Sequence, residues 1–141
     1  MTHGTGGFQI ESWREEPYDE RDEVKLTRTH VTKTFHGDLE GHGAAELLMA
    51  YAREGSAAYA GFERIDCHID GRAGSFVLHH NASRSQGNQS ASWTILSGSG
   101  TGELHAIRGE MQIFTGPEGE HTFTLDYELD GPPGTAVTLT E

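Results

Sequence analysis

The residues best suited to chemistry lie in "GFERIDCHID" and "SFVLHH". Glu63 and Arg64 are adjacent in an alternating segment, so on a strand they point to opposite faces and one of them points inward. A carboxylate or guanidinium taken out of water is costly unless paired, which makes either one a candidate for a built site. Glu40 and Arg108 are the partners expected for it, and a plain structural ion pair is the competing reading. His80 shares a face with Phe76 and Leu78, the kind of face a core uses. It is either a satisfied core histidine or, if it lines a cavity beside Glu63 or Glu40, one half of a pair able to pass a proton. Arg108 and Arg64 are candidates for holding a ligand, Arg108 through an anionic group. Tyr51, Tyr59, Trp93, Met49 and Tyr127 are candidates for the apolar wall, with ordinary core packing as the plainer account.

Other chemistries fit less well. His36, Asp38, Glu40 and His42, with His30, share a face at period two. As one strand they would spread over roughly 20 Å, too far for one ion to collect. An exposed polar face is the expectation, and no metal site is assigned. His79 and His80 are adjacent, so on a strand they cannot clamp one ion. The serines are abundant, but none sits in a G-x-S-x-G elbow. The single cysteine, Cys67, excludes an internal disulfide and a cysteine-based zinc cluster. In "SGSGTGELHAIRGEM" the glycines at 98, 100 and 102 lack the G-x-G-x-x-G spacing and the following helix of a dinucleotide loop, and no lysine makes a P-loop. No cofactor is expected.

These groups are carried by 141 residues, the size of one domain spanning 1–141. Ten basic against 22 acidic side chains give a formal charge of −12, which argues against nucleic acid and anionic membranes as partners. The N-terminus has no basic start followed by an apolar stretch, and no apolar run approaches a membrane span. A cytoplasmic location is the expectation.

The elements that must position the candidates read as strands. Nineteen glycines and many threonines and serines accompany alternation in "GGFQIESW", "KLTRTHVTKTFHGDLEG", "SAAYAGFERIDCHID", "GSFVLHHNASRS", "QSASWTIL", "GELHAIRGEMQIF" and "HTFTLDYELD". "GAAELLMAYA" has helix-forming residues, yet it is short, glycine-flanked and uncapped, so it too reads as a strand. Turn signals "REGS", "IDGRAG", "SQGN", "SGSGTG" and "GPEGEH" separate them. The acidic "REEPYDERDE" is expected to be a solvated loop, stopped by Pro17, and "TAVTLTE" a short ninth strand or a frayed end. About eight strands joined by short loops predict an all-β fold, a single antiparallel up-and-down barrel closed to remove its edges. Ser97–Thr101 is the expected turn into a strand that Gly109 bends.

"GSGTGELHAIRGEM" resembles the glycine signature of the allene oxide cyclase and dirigent barrels. With "SWREEPY", "KLTRTHVTKTFHGDLEG", "AAELLMAY", "GFERIDCHIDGRAGSFVLHH" and "TLDYEL", the chain is similar throughout Ser12–Leu129 to the bacterial family called domain of unknown function 3224. The resemblance implies an eight-stranded, allene-oxide-cyclase-like barrel, and association of copies through the outer walls, so a homo-oligomer is expected. It implies no defined activity. His79 stands where the family more usually has glutamine and His80 is common to relatives, whereas His36, His42, His68 and His105 are peculiar to this chain.

The function expected is binding of a small, partly apolar organic molecule in the barrel, with isomerisation or cyclisation as its chemistry. Glu63 and Glu40 would steer charge or protons and His80 would exchange a proton with them. The alternatives are a carrier without catalysis, whose cavity would be lined almost wholly by apolar groups, and a solid-core assembly protein.

Overall fold

The computed structural model describes residues 1–129. Eight antiparallel strands follow chain order: β1 (Thr2–Arg21), β2 (Val24–Gly37), β3 (Leu39–Tyr51), β4 (Ala57–Ile69), β5 (Arg72–Ser85), β6 (Asn88–Ile95), β7 (Arg108–Thr115) and β8 (His121–Glu128). Each pairs with the next, and β1 pairs with β8, so the sheet closes into a barrel. The only helical elements described are single 3-10 turns at Arg53–Gly55 and Gly102–Leu104. No helix among the described residues is long and apolar enough to cross a membrane. The run "TAVTLTE" lies outside the described residues.

Alternation sets which face is inside. On β2, Thr27, Thr29, Val31, Lys33 and Phe35 are buried while the residues between them are exposed or half-buried. On β4, Glu63, Ile65, Cys67 and Ile69 are buried, and Phe62, Arg64, Asp66 and His68 are exposed. One end of the barrel is packed solid by Phe35, Leu39, Ile65, Ile69, Phe76, Leu78, Met111, Phe123 and Leu125, among others. A smaller cluster, Val31, Ala45 and Leu47 with Met49 and Tyr59 against it, continues toward the other end.

Three stretches depart from the sequence expectation. The acidic "REEPYDERDE" is no loop: β1 runs through it to Arg21, paired with β2. The ladder shifts register between Pro17 and Asp19, a bulge where a residue without an N–H fits. On its other side β1 pairs with β8 only from Thr2 to Phe8, so no described neighbour there needs the missing donor.

"KLTRTHVTKTFHGDLEG" is two strands, turned at Gly37 and Asp38, where the Asp38 amide donates to the Thr5 carbonyl at 2.9 Å. His36 and His42 are exposed on neighbouring strands of a hairpin. Among the described residues no three His, Cys, Asp or Glu side chains gather as a metal site.

The third departure is "GELHAI", which is no part of a strand. It belongs to the 96–107 connection, whose Leu104 and Ile107 are buried in the packed end. This connection stands in for a missing strand. β6 pairs with β5 only over Leu78–Ser85, and beyond that the loop takes over. The Thr101 amide donates to the Ser75 carbonyl at 2.8 Å, the Val77 amide to Ser99 Oγ at 2.9 Å and the Ala73 amide to Glu103 Oε1 at 3.0 Å. Gly74 lets the loop lie this close, since a side chain there would overlap the Thr101 carbonyl oxygen. Gly109 is the second residue of β7, with a φ of +150°, and a Cβ there would strike the Asp126 carbonyl on β8. β6 and β7 share only two register pairs, Trp93 with Met111 and Thr94 with Glu110.

Candidate functional site

Above the packed end, the barrel opens into a cavity of about 780 Å³, reaching from buried Val31 and His80 to exposed Trp13 and Arg84. That is the size of a small-molecule site. Its walls include Met49, Tyr51, Tyr59 and Trp93, the side chains expected there, with Ile10, Leu47 and Ile113. At the rim, Glu15 Oε2 accepts hydrogen bonds from Tyr51 Oη and Thr27 Oγ1, both at 2.7 Å. Burial pushes the Tyr51 phenol up to about 12, helped by the Glu15 carboxylate beside it.

The floor is polar. Lys33 and His80 line it, and both reach the same atom beneath: Glu63 Oε1 accepts from His80 Nε2 at 2.7 Å and from Lys33 Nζ at 3.1 Å. Glu63 is 0 % exposed, His80 2 % and Lys33 8 %. Burial alone would raise the Glu63 pKa, but the hydrogen bond from His80 and the charge of Lys33 outweigh it, and its carboxyl is held below the ordinary 4.5. An ionised carboxylate only accepts, so His80 Nε2 must carry the proton toward it. In the neutral ring the other nitrogen is then the basic one. Lys33 Nζ also lies 4.6 Å from the centre of the Phe8 ring, a cation–π contact.

Two features make room for this cluster. Gly43 stands opposite Lys33 in the β2–β3 register, and any side chain on it would overlap Glu63 Oε2. Glu63 Oε2 and Trp93 Nε1 are buried with no hydrogen-bond partner among the described residues. The indole belongs to the cavity wall, with its N–H buried and not open to the cavity. The Tyr59 ring lies 6.2 Å from that of His80, and its phenol is raised above its usual value by burial, with the Glu63 charge adding to it.

The remaining candidates are placed elsewhere. Glu40 and Arg64 are exposed on the outer face, because they fall on the outward parity of β3 and β4. Neither reaches Glu63. Arg108 is also off the cavity, with Nε donating to Glu128 Oε2 at 3.0 Å across the β7–β8 pair. Tyr127 is buried in the packed end. His79 stacks on exposed Phe62 at 5.0 Å, on the outside. Lys33 is the member that sequence reasoning missed. Its signal was present in "VTKTF", where Val31, Lys33 and Phe35 share one parity, so an inward Val and Phe require an inward Lys.

Fold and site together define a closed eight-stranded barrel with a buried Lys–Glu–His cluster under an open cavity. The chain belongs to the family described as protein of unknown function (DUF3224), whose model matches residues 4–127. It is similar to the crystal structure of a DUF3224-family protein of unknown function from Shewanella oneidensis MR-1. The two share 31% identity with a TM-score of 0.80, covering 93% of this chain and 99% of the other. No curated protein matches the chain.

Proposed function

We propose that this barrel binds a small, partly apolar organic molecule in its cavity and isomerises or cyclises it by proton transfer through His80 and Glu63. The observation that carries the reading is the 2.7 Å His80–Glu63 hydrogen bond at the floor of a cavity walled by tyrosine and tryptophan. His80 faces the guest and takes or returns a proton. The Glu63 carboxylate fixes the imidazole tautomer and stabilises the imidazolium when it forms. The likeness of the glycine-rich signature to allene oxide cyclase barrels favours the same class of reaction, in which a shaped dry pocket does much of the work. A carrier would need neither the ionisable floor nor its buried carboxylate. Association with further copies of the chain is part of the proposal and is tested by sedimentation equilibrium.

The experiment is incubation of the protein in deuterium oxide with a small-molecule extract of the source cells, followed by mass spectrometry. The expected result is a metabolite that gains deuterium with wild-type protein and not with Glu63→Gln. Tight binding of an extract component without deuterium gain makes the barrel a carrier. Absence of both removes the reading.

A further inference from the structure

Lys33 has a second capacity that proton transfer through His80 does not use. The chain has ten basic side chains, of which only Lys25 and Lys33 are lysines. At the cavity floor the residue is the one cation that can also be a nucleophile, since guanidinium stays protonated and an amine need not. Its Nζ is held by Glu63 Oε1 at 3.1 Å, and the same oxygen takes the His80 hydrogen bond. A primary amine, a proton acceptor and a proton donor are therefore joined through one atom. They lie under a cavity walled largely by aromatic and aliphatic side chains. The Lys33 ammonium at the floor of the cavity suits a guest bearing an acceptor oxygen.

Taking the cavity as the binding site already proposed, we infer that Lys33 captures an aldehyde or ketone carbonyl as an iminium. The Lys33 ammonium first gives a proton to the carboxylate–imidazole pair. The freed amine attacks the carbonyl carbon and a C–N bond forms. The proton is returned to the resulting hydroxyl, the C–O bond breaks and water leaves. Ammonium and carbonyl become iminium and water, with no change of oxidation state. The iminium keeps the single positive charge that Glu63 already balances, so the buried pair is never left uncompensated. It also acidifies the neighbouring C–H, the proton His80 is placed to take. The substrate class is then a small apolar aldehyde or ketone.

The test is brief exposure of the whole chain to octanal with sodium cyanoborohydride, followed by peptide mapping. Lys25, the only other lysine, is the internal reference. Lys33 should be alkylated roughly tenfold or more faster than Lys25, and the advantage should shrink in Glu63→Gln. Lys33→Arg keeps a cation beside Glu63 and should still bind the neutral fluorophore N-phenylnaphthylamine while losing the fast adduct. If the fluorophore binds but Lys33 reacts no faster than Lys25, the iminium inference is overturned and the cavity reading stands. If neither fluorophore nor octanal enters the barrel, both fall.

Discussion

A carboxylate with no exposure to water survives at position 63 because two donors converge on one of its oxygens. Removing one partner of such a buried pair costs about 3–5 kcal/mol, since it leaves a charge uncompensated. The other oxygen survives because position 43 has no side chain. Gly43→Ala places a methyl against Glu63 Oε2 and the Phe35 ring, and it should lower unfolding free energy by about 1–3 kcal/mol in urea. The pH dependence has a fixed sign. With its folded pKa below the ordinary 4.5, Glu63 contributes stability that is complete above that value and lost as pH falls through the folded value, because the unfolded chain takes up the proton first. Urea midpoints followed into acid should show this loss in wild type, and Glu63→Gln should remove that part of it. At this scale the sequence was half legible. Parity put Glu63 and Arg64 on opposite faces but could not say which was inward. Gly43 could not be seen to matter, because its role depends on cross-strand register.

Among the elements, the 96–107 connection does a strand's work without being one. It supplies hydrogen-bond partners to the part of β5 that β6 leaves unpaired, and it inserts Leu104 and Ile107 as a plug. Gly74→Ala should push it off, at about 1–3 kcal/mol. Hydrogen exchange should then quicken at the Ala73 and Val77 amides, which the loop's side chains now hold, while amides in the β2–β3 hairpin keep their protection. The sequence showed the eight strands. It misassigned "GELHAI" because a buried 3-10 turn carries the same short apolar–polar pattern as a strand. The acidic segment was misread for a different reason. Charge and proline are the devices that protect an edge strand, so the same residues that suggest a loop also suit β1 where β8 does not follow it.

At the scale of the whole molecule, the barrel divides along its axis into a packed end and an open one, with the Lys–Glu–His cluster at the boundary. The cavity can be filled without touching that cluster. Ala82 lies in its wall, and Ala82→Phe should cut N-phenylnaphthylamine affinity by roughly tenfold or more while leaving the urea midpoint near that of wild type. Loss of binding with the fold intact would place the guest inside the barrel. Retained binding would place it elsewhere.

The closure of the ring has a consequence for how quickly the chain can fold. Every neighbouring strand pair is a sequential one except β1–β8, which joins residues as far apart as His3 and Asp126 in a 2.7 Å contact. Seven ladders can form from local segments, and the eighth must wait for nearly the whole chain to be in place. Stopped-flow refolding should therefore show Phe8→Leu, which removes a buried ring stacked at 4.9 Å on His121 across the seam, accelerating unfolding more than it slows folding, the signature of a contact made after the barrier. An equal loss on the folding arm would mean that the ends meet early, and that the barrel is built around its seam instead of being finished there.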